Sequence, residues 1–162
     1  MLLAEEDIPL PPPEADDDDF DPKAEAQRLL GTEAFIENLG FRFEDEKDAY
    51  RRYILDVQLK RPLIAHTRSD RVYPVLRIYA RVGKDFIRFW AVGNRFDAAG
   101  ALKRSNCRVW KTWHFSDMLD EYPWEDMKRS LNNLQIAANR CRTMTGFSRM
   151  AKRQLGYAFS CS

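Results

Sequence analysis

The sequence predicts an α+β fold: a small antiparallel sheet of three or more strands with helices packed on one side, preceded by a disordered acidic arm. Three observations predict it. Residues 74–92 hold two runs of branched and aromatic residues that alternate with arginine around a Gly83-Lys84 turn. Residues 124–141 carry apolar side chains at alternating four- and three-residue spacing. Residues 1–21 hold nine carboxylates and no lysine or arginine.

Pro9 to Asp21 combines four prolines with four consecutive aspartates. Such a segment lacks both the apolar content and the backbone freedom to join a core, so residues 1–21 are expected to be an arm and residues 22–162 a single domain. Pro22 suits a first helical turn, and Lys23–Leu30 and Glu33–Leu39 are helix-compatible stretches punctuated by Gly31 and Gly40. A second helix is expected from Glu44 to about Lys60, with acidic Glu44, Asp45 and Glu46 in its first turn and Lys60 and Arg61 at its end, as the helix dipole prefers. Ala49, Tyr53 or Ile54, Val57 and Leu59 follow its apolar side, and Pro62 stops it.

Pro74–Val82 and Asp85–Val92 then form a hairpin. A two-residue turn pairs Val82 with Asp85, Ala80 with Ile87, Ile78 with Phe89 and Leu76 with Ala91 on an apolar face. The opposite face pairs Arg81 with Phe86, Tyr79 with Arg88 and Arg77 with Trp90. After a loop from Asn94 to Asn106, a third strand is expected at about Cys107–Phe115. Trp124, Met127, Leu131, Leu134, Ala138 and Cys141 then mark a helix from Trp124 to about Thr145, which Gly146 interrupts before a basic turn or short helix at Phe147–Leu155. Cys107, Cys141 and Cys161 are an odd number, far apart and without a C-x-x-C pair, so they read as reduced structural thiols. No apolar run approaches the roughly 20 residues that cross a bilayer, and Met1–Leu10 lacks the pattern of a signal peptide, so a cytoplasmic location without membrane contact is expected.

The formal net charge of +1 hides a division. Nine of the 25 acidic residues lie in the arm, leaving 16 against 26 basic residues, a net of +10 over the remaining chain. A body with that excess attracts polyanions, although net charge also simply keeps a small domain soluble. Two stretches concentrate it. Lys60–Lys111 has thirteen basic residues against three aspartates, and Lys128–Arg153 has seven and no acid.

On the hairpin, Arg77, Tyr79, Arg81, Arg88 and Trp90 suit nucleic acid, because guanidinium forks grip phosphates while aromatic planes stack on bases. Arg95, Lys103, Arg104 and Arg108 extend this group through the loop and the third strand. Lys128, Arg129, Arg140 and Arg142, with Arg149, Lys152 and Arg153 beyond them, offer phosphate contacts from the C-terminal helices. The plainer readings are arginine packed on cross-strand aromatics and a solvated helix face. Catalysis finds little support: His66 and His114 sit in different segments without a partner at triad or metal-ligand spacing, and no phosphate-binding glycine motif occurs. No metal or cofactor is implied. The Asp45, Glu46, Lys47 cluster is the one start toward a metal-dependent nuclease, and it falls on a helix start.

The order helix, basic strands, long helix, with Ile87-Arg88-Phe89-Trp90 running into Asn94-Arg95-Phe96 and followed by Arg108-Val109-Trp110-Lys111, resembles the MobI-type conjugative transfer proteins over about Pro74 to Arg142. The resemblance implies a small cytoplasmic auxiliary protein that acts at the origin of transfer and is not itself the nicking enzyme. It leaves the acidic arm outside its span. The expected function is therefore a non-enzymatic DNA-binding accessory of a mobile element that holds duplex DNA and recruits a relaxase or another transfer protein. The alternative is a protein-interaction or inhibitor module using Trp90, Trp110 and Trp113 as hot spots.

The arm's carboxylates are expected to compete with phosphate for the basic body. Deleting residues 1–21 should tighten non-specific DNA binding in a low-salt titration; unchanged or weaker binding would assign the arm to another partner.

Overall fold

The computed structural model describes residues 31–47, 50–66, 68, 71–115 and 124–161. The chain divides into two units, residues 1–35 and 36–162. The expected arm and the Lys23–Leu30 stretch lie outside the described residues. A helix, α1, covers residues 31–38, in keeping with the helix-compatible Glu33–Leu39 stretch.

The second unit is a six-stranded antiparallel sheet in simple sequential order, with helices inserted before its last strand. The strands are β1 (Arg42–Lys47), β2 (Tyr50–Ile64), β3 (Val72–Gly83), β4 (Phe86–Phe96), β5 (Leu102–His114) and β6 (Ala158–Ser160). Helix α2 (Trp124–Arg140) and helix α3 (Met144–Leu155) lie between β5 and β6. The fold is α+β, with the sheet as its larger part.

The expected Glu44–Lys60 helix is a correction: the described residues of this stretch belong to β1 and β2. Tyr53, Leu55, Val57 and Leu59 recur at two residues while Tyr53 and Val57 also fit a helical stripe, and their branched and aromatic neighbours favour the pleat. Pro62 does not end the element. It lies inside β2 where the ladder with β3 breaks between Gln58 and Leu63, opposite Pro74, so neither proline is asked for a ladder N–H. There the Lys60 amide donates instead to Asn139 Oδ1 of α2 at 2.8 Å.

The β3–β4 hairpin forms with both expected faces, but its register is shifted by two. Val82 pairs with Ile87, Ala80 with Phe89, Ile78 with Ala91 and Leu76 with Gly93. The cause is β5. It takes Phe86 into its ladder opposite His114, and the Phe115 amide donates to the Asp85 carbonyl at 2.8 Å. The Asp85 carbonyl is thus turned to β5 and not to Val82, and the Phe86 ring lies over Gly83 where any Cβ would collide with it. Strand β5 also begins earlier than expected, because β4 runs on to Phe96 and only residues 97–101 turn.

The apolar face reads across the sheet in rows of paired residues, such as Leu55, Ile78, Ala91, Val109 and Phe159. Helices α2 and α3 cover this face. Met127, Leu131, Leu134, Ala138 and Cys141 are all buried, as the spacing predicts. Met144 of α3 comes so close to Gly93 that a Cβ there would sit 2.9 Å from its sulfur. The break between the helices falls at 141–143 rather than at Gly146, because the Thr143 hydroxyl caps α3 by accepting from the Gly146 amide at 3.0 Å. The chain then pairs β6 with β5, and Cys107 and Cys161 meet as cross-strand neighbours with Cα atoms 4.0 Å apart and form a disulfide. The expectation of three reduced thiols is thereby corrected; Cys141 alone is free, and burial pushes its thiol pKa up.

Ile78 and Phe89 are fully buried on this face. Replacing either by Ala should cost about 2 to 5 kcal/mol in urea unfolding. Thiol titration of the unfolded, unreduced chain should find one reactive group rather than three, and reduction should lower stability by roughly 2 to 4 kcal/mol.

Candidate nucleic-acid interface

On the opposite face the pairing builds three parallel rows. The first runs Asp45, Arg52, Arg81, Arg88, Thr112. The second runs Ile54, Tyr79, Trp90, Trp110. The third runs Asp56, Arg77, Val92, Arg108. An aromatic row is therefore flanked by a cationic row on each side.

The carboxylates on this face sit at its β1–β2 end and are already engaged. Arg77 donates from Nε and Nη2 to the two oxygens of Asp56 at 2.8 and 3.0 Å, and Arg42 reaches the same carboxylate at 3.4 Å. Burial of Asp56 opposes its ionisation, but the hydrogen bonds and charges of Arg77 and Arg42 outweigh it and hold its pKa below the ordinary 3.8. The bond to Asp56 likewise raises the pKa of Arg77. Arg52 is bound in the same way to Asp45, at 3.2 and 2.8 Å, and to Glu44 at 3.0 Å. The Asp45, Glu46, Lys47 cluster thus serves ion pairs, since Glu46 pairs with Arg51 at 3.3 Å. Among the described residues no group of three His, Cys, Asp or Glu side chains is placed to hold a metal ion.

Arg81, Arg88 and Arg108 are different: none has an acidic partner among the described residues. Arg81 lies over the rings of Tyr50 and Trp90, at 5.1 and 5.7 Å from their centres, and its buried Nε has no hydrogen-bond partner among the described residues. Arg88 donates from Nε to Thr112 Oγ1 at 2.8 Å, which leaves the end of its fork free. Arg81 and Arg88 are directly opposite one another, and like charges so placed destabilise a sheet. With Arg108, Trp90 and Trp110 they line an open cavity of about 270 Å³ formed by sheet residues alone.

Not all of the sequence-predicted residues belong to this site. Arg77 is 9% exposed and spoken for by Asp56, and Tyr79 is 1% exposed beneath Trp90, so neither is available to a ligand. The sequence conceals this because Asp56 falls in the stretch that reads as a helix. Arg104 covers the Tyr79 ring at 5.4 Å, Arg95 lies 6.0 Å from the Tyr73 ring, and Lys103 pairs loosely with Asp97 at 3.9 Å. Lys128, Arg129, Arg140, Arg149, Lys152 and Arg153 are exposed, but on the helices that cover the other face, and exposed Arg142 lies in the break between them. A cavity of about 350 Å³ beside Lys128 and Arg129 also takes in Glu125, Leu39, Leu55 and Leu131, so it concentrates no charge. Trp113 points to the helix side, edge-on to Phe89, and donates to Asp126 at 3.3 Å. Sequence reasoning offers Trp110 only as a protein contact; its position two residues from Arg108 in one strand is the signal that it shares the cationic face.

Compared with known proteins, the chain matches no family model, no curated protein and no solved structure. Among the described residues, no helix is long and apolar enough to cross a membrane.

The two kinds of arginine separate by stability. Arg77→Gln takes from Asp56, whose side chain is 30% exposed, its main partner and should cost roughly 1 kcal/mol, whereas Arg81→Gln should leave melting unchanged. Because the Asp56 pKa is lowered on folding, the pair stabilises fully above the ordinary carboxylate value and its contribution disappears as pH falls through the lower folded value. Melting curves from pH 7 to 2 should show an acid-side loss that is smaller in Arg77→Gln.

Proposed function

We propose that this protein is a non-enzymatic nucleic-acid-binding accessory factor that holds DNA phosphates on the Arg81, Arg88 and Arg108 side of its sheet. The observation that carries the reading is the Arg81–Arg88 pair: two guanidinium groups held opposite each other with no carboxylate partner among the described residues, beside half-buried tryptophans. A phosphate group relieves that repulsion and matches the donor geometry of the free forks. The exposed cations of α2 and α3 add a second, diffuse field that draws DNA to the molecule.

The resemblance over Pro74–Arg142 selects conjugative transfer among the nucleic-acid roles, with a cytoplasmic protein at the origin of transfer and a relaxase as its partner. In a reducing compartment the Cys107–Cys161 pair is expected as a dithiol, and β6 is then held by its ladder with Val109 and by buried Tyr157. The reaction at DNA belongs to the partner.

The test is the salt dependence of DNA binding. Every phosphate that the protein neutralises adds about 0.7 to 0.9 to the slope of log affinity against log salt. The combined variant Arg81→Gln, Arg88→Gln, Arg108→Gln should therefore flatten the slope by about 2 to 3. Its melting should be unchanged. A slope as steep as that of the unaltered chain would move the phosphate contacts to Lys128–Arg153, and no DNA binding at low salt would leave the protein-interaction reading.

A further inference from the structure

We infer that the cavity between Arg81, Arg88, Arg108, Trp90 and Trp110 is a subsite for an unpaired nucleotide, so that this face takes single-stranded rather than duplex nucleic acid. The inference rests on the reading of this face as a nucleic-acid surface and says which form of nucleic acid it accepts.

Three observations carry it. The first is width. Strands lie about 4.8 Å apart, so six of them span roughly 24 Å, whereas a major groove is about 12 Å wide. Trp90 and Trp110 sit on the interior strands β4 and β5, with β3 and β2 on one side and β6 on the other. A sheet broader than the groove carries interior side chains to base edges only where the duplex is bent and opened, whereas an unpaired base comes out to the sheet at no such cost. The second is the aromatic pair. Trp90 and Trp110 are directly paired, half-buried and open to the cavity. Trp90 already rests on Tyr79, with ring centres 4.7 Å apart, which fixes its plane. In a duplex both faces of every internal base are stacked, so only an unpaired base offers a face to these indoles. The third is the placing of charge. Arg81 and Arg88 flank the aromatic row on one side and Arg108 on the other. A strand running across the sheet can thus put successive phosphates on the two cationic rows while the base between them stacks on tryptophan.

The experiment compares three ligands of equal length on the full chain: a dT oligonucleotide of about 16 residues, the same strand annealed to its complement, and an abasic strand that keeps the phosphates. The free dT strand should bind more tightly than either of the others. Trp110→Ala should weaken dT binding roughly 5- to 150-fold, the range that removal of one base–aromatic stack gives, and should leave abasic binding unchanged. Trp110→Phe should restore most of the affinity, and Arg108→Gln, on an exposed side chain, should weaken the dT and abasic strands alike. Duplex bound as tightly as dT, or equal binding of dT and abasic strand, would overturn the inference while leaving nucleic-acid binding intact. Absence of binding to all three at low salt would overturn both.

Discussion

In the four long strands β2 to β5 the pleat commits each residue to one face, and neighbouring strands in register must agree residue by residue. The apolar rows meet α2 and α3, which supply the partners that bury them. Among the described residues the opposite face has no such cover and builds its own. Ile54, Tyr79 and Val92 form a second small core there, closed by Trp90 and by guanidinium groups that lie over the Tyr79 ring from Arg52 at 5.8 Å and from Arg104 at 5.4 Å. The arginines of this face are in part its roof, which is why so many of them can stand on one surface without leaving aromatic rings bare.

Charge on that roof is graded along the direction of strand order. At the β1–β2 end Asp45, Glu44 and Asp56 neutralise Arg52 and Arg77, so this end is electrostatically closed. Toward β4 and β5 the carboxylates stop while the arginines continue. Folding alone gains nothing from setting Arg81 against Arg88, and cation–π contacts of about 5 to 6 Å only partly offset the repulsion. A local rule broken in the middle of an otherwise consistent sheet is the usual mark of a binding surface.

The sequence makes legible what depends on period and hides what depends on partners. The faces of the β3–β4 hairpin are readable because two alternations have to agree, and the stripe of α2 because seven residues make two turns. Residues 44–60 are not, since a spacing of four, as from Ala49 through Tyr53 to Val57, fits a helix and a strand alike, and acidic residues ahead of Lys60 imitate dipole pairing. That one ambiguity releases Arg77 to the candidate site by hiding Asp56. The disulfide is equally out of reach: its cysteines are 54 residues apart and become neighbours only because β6 returns to β5 after two helices. The cavity is half visible, since Arg81, Arg88 and Trp90 come from the hairpin while the contribution of Trp110 depends on the β4–β5 register.

The two-residue offset of the hairpin has a kinetic meaning. A slip by one would turn core side chains to the wrong face and is rejected at once by the hydrophobic effect, but a slip by two keeps every side chain on its proper side. Strands β3 and β4 by themselves therefore have two acceptable alignments, differing in whether Tyr79 meets Arg88 or Trp90. The native one is favoured when β5 arrives, because the Asp85 carbonyl then accepts from Phe115 and is not available to Val82. The information that aligns the hairpin is thus stored outside it, and the ring-on-ring seat of Trp90 is completed by a strand that is synthesised later.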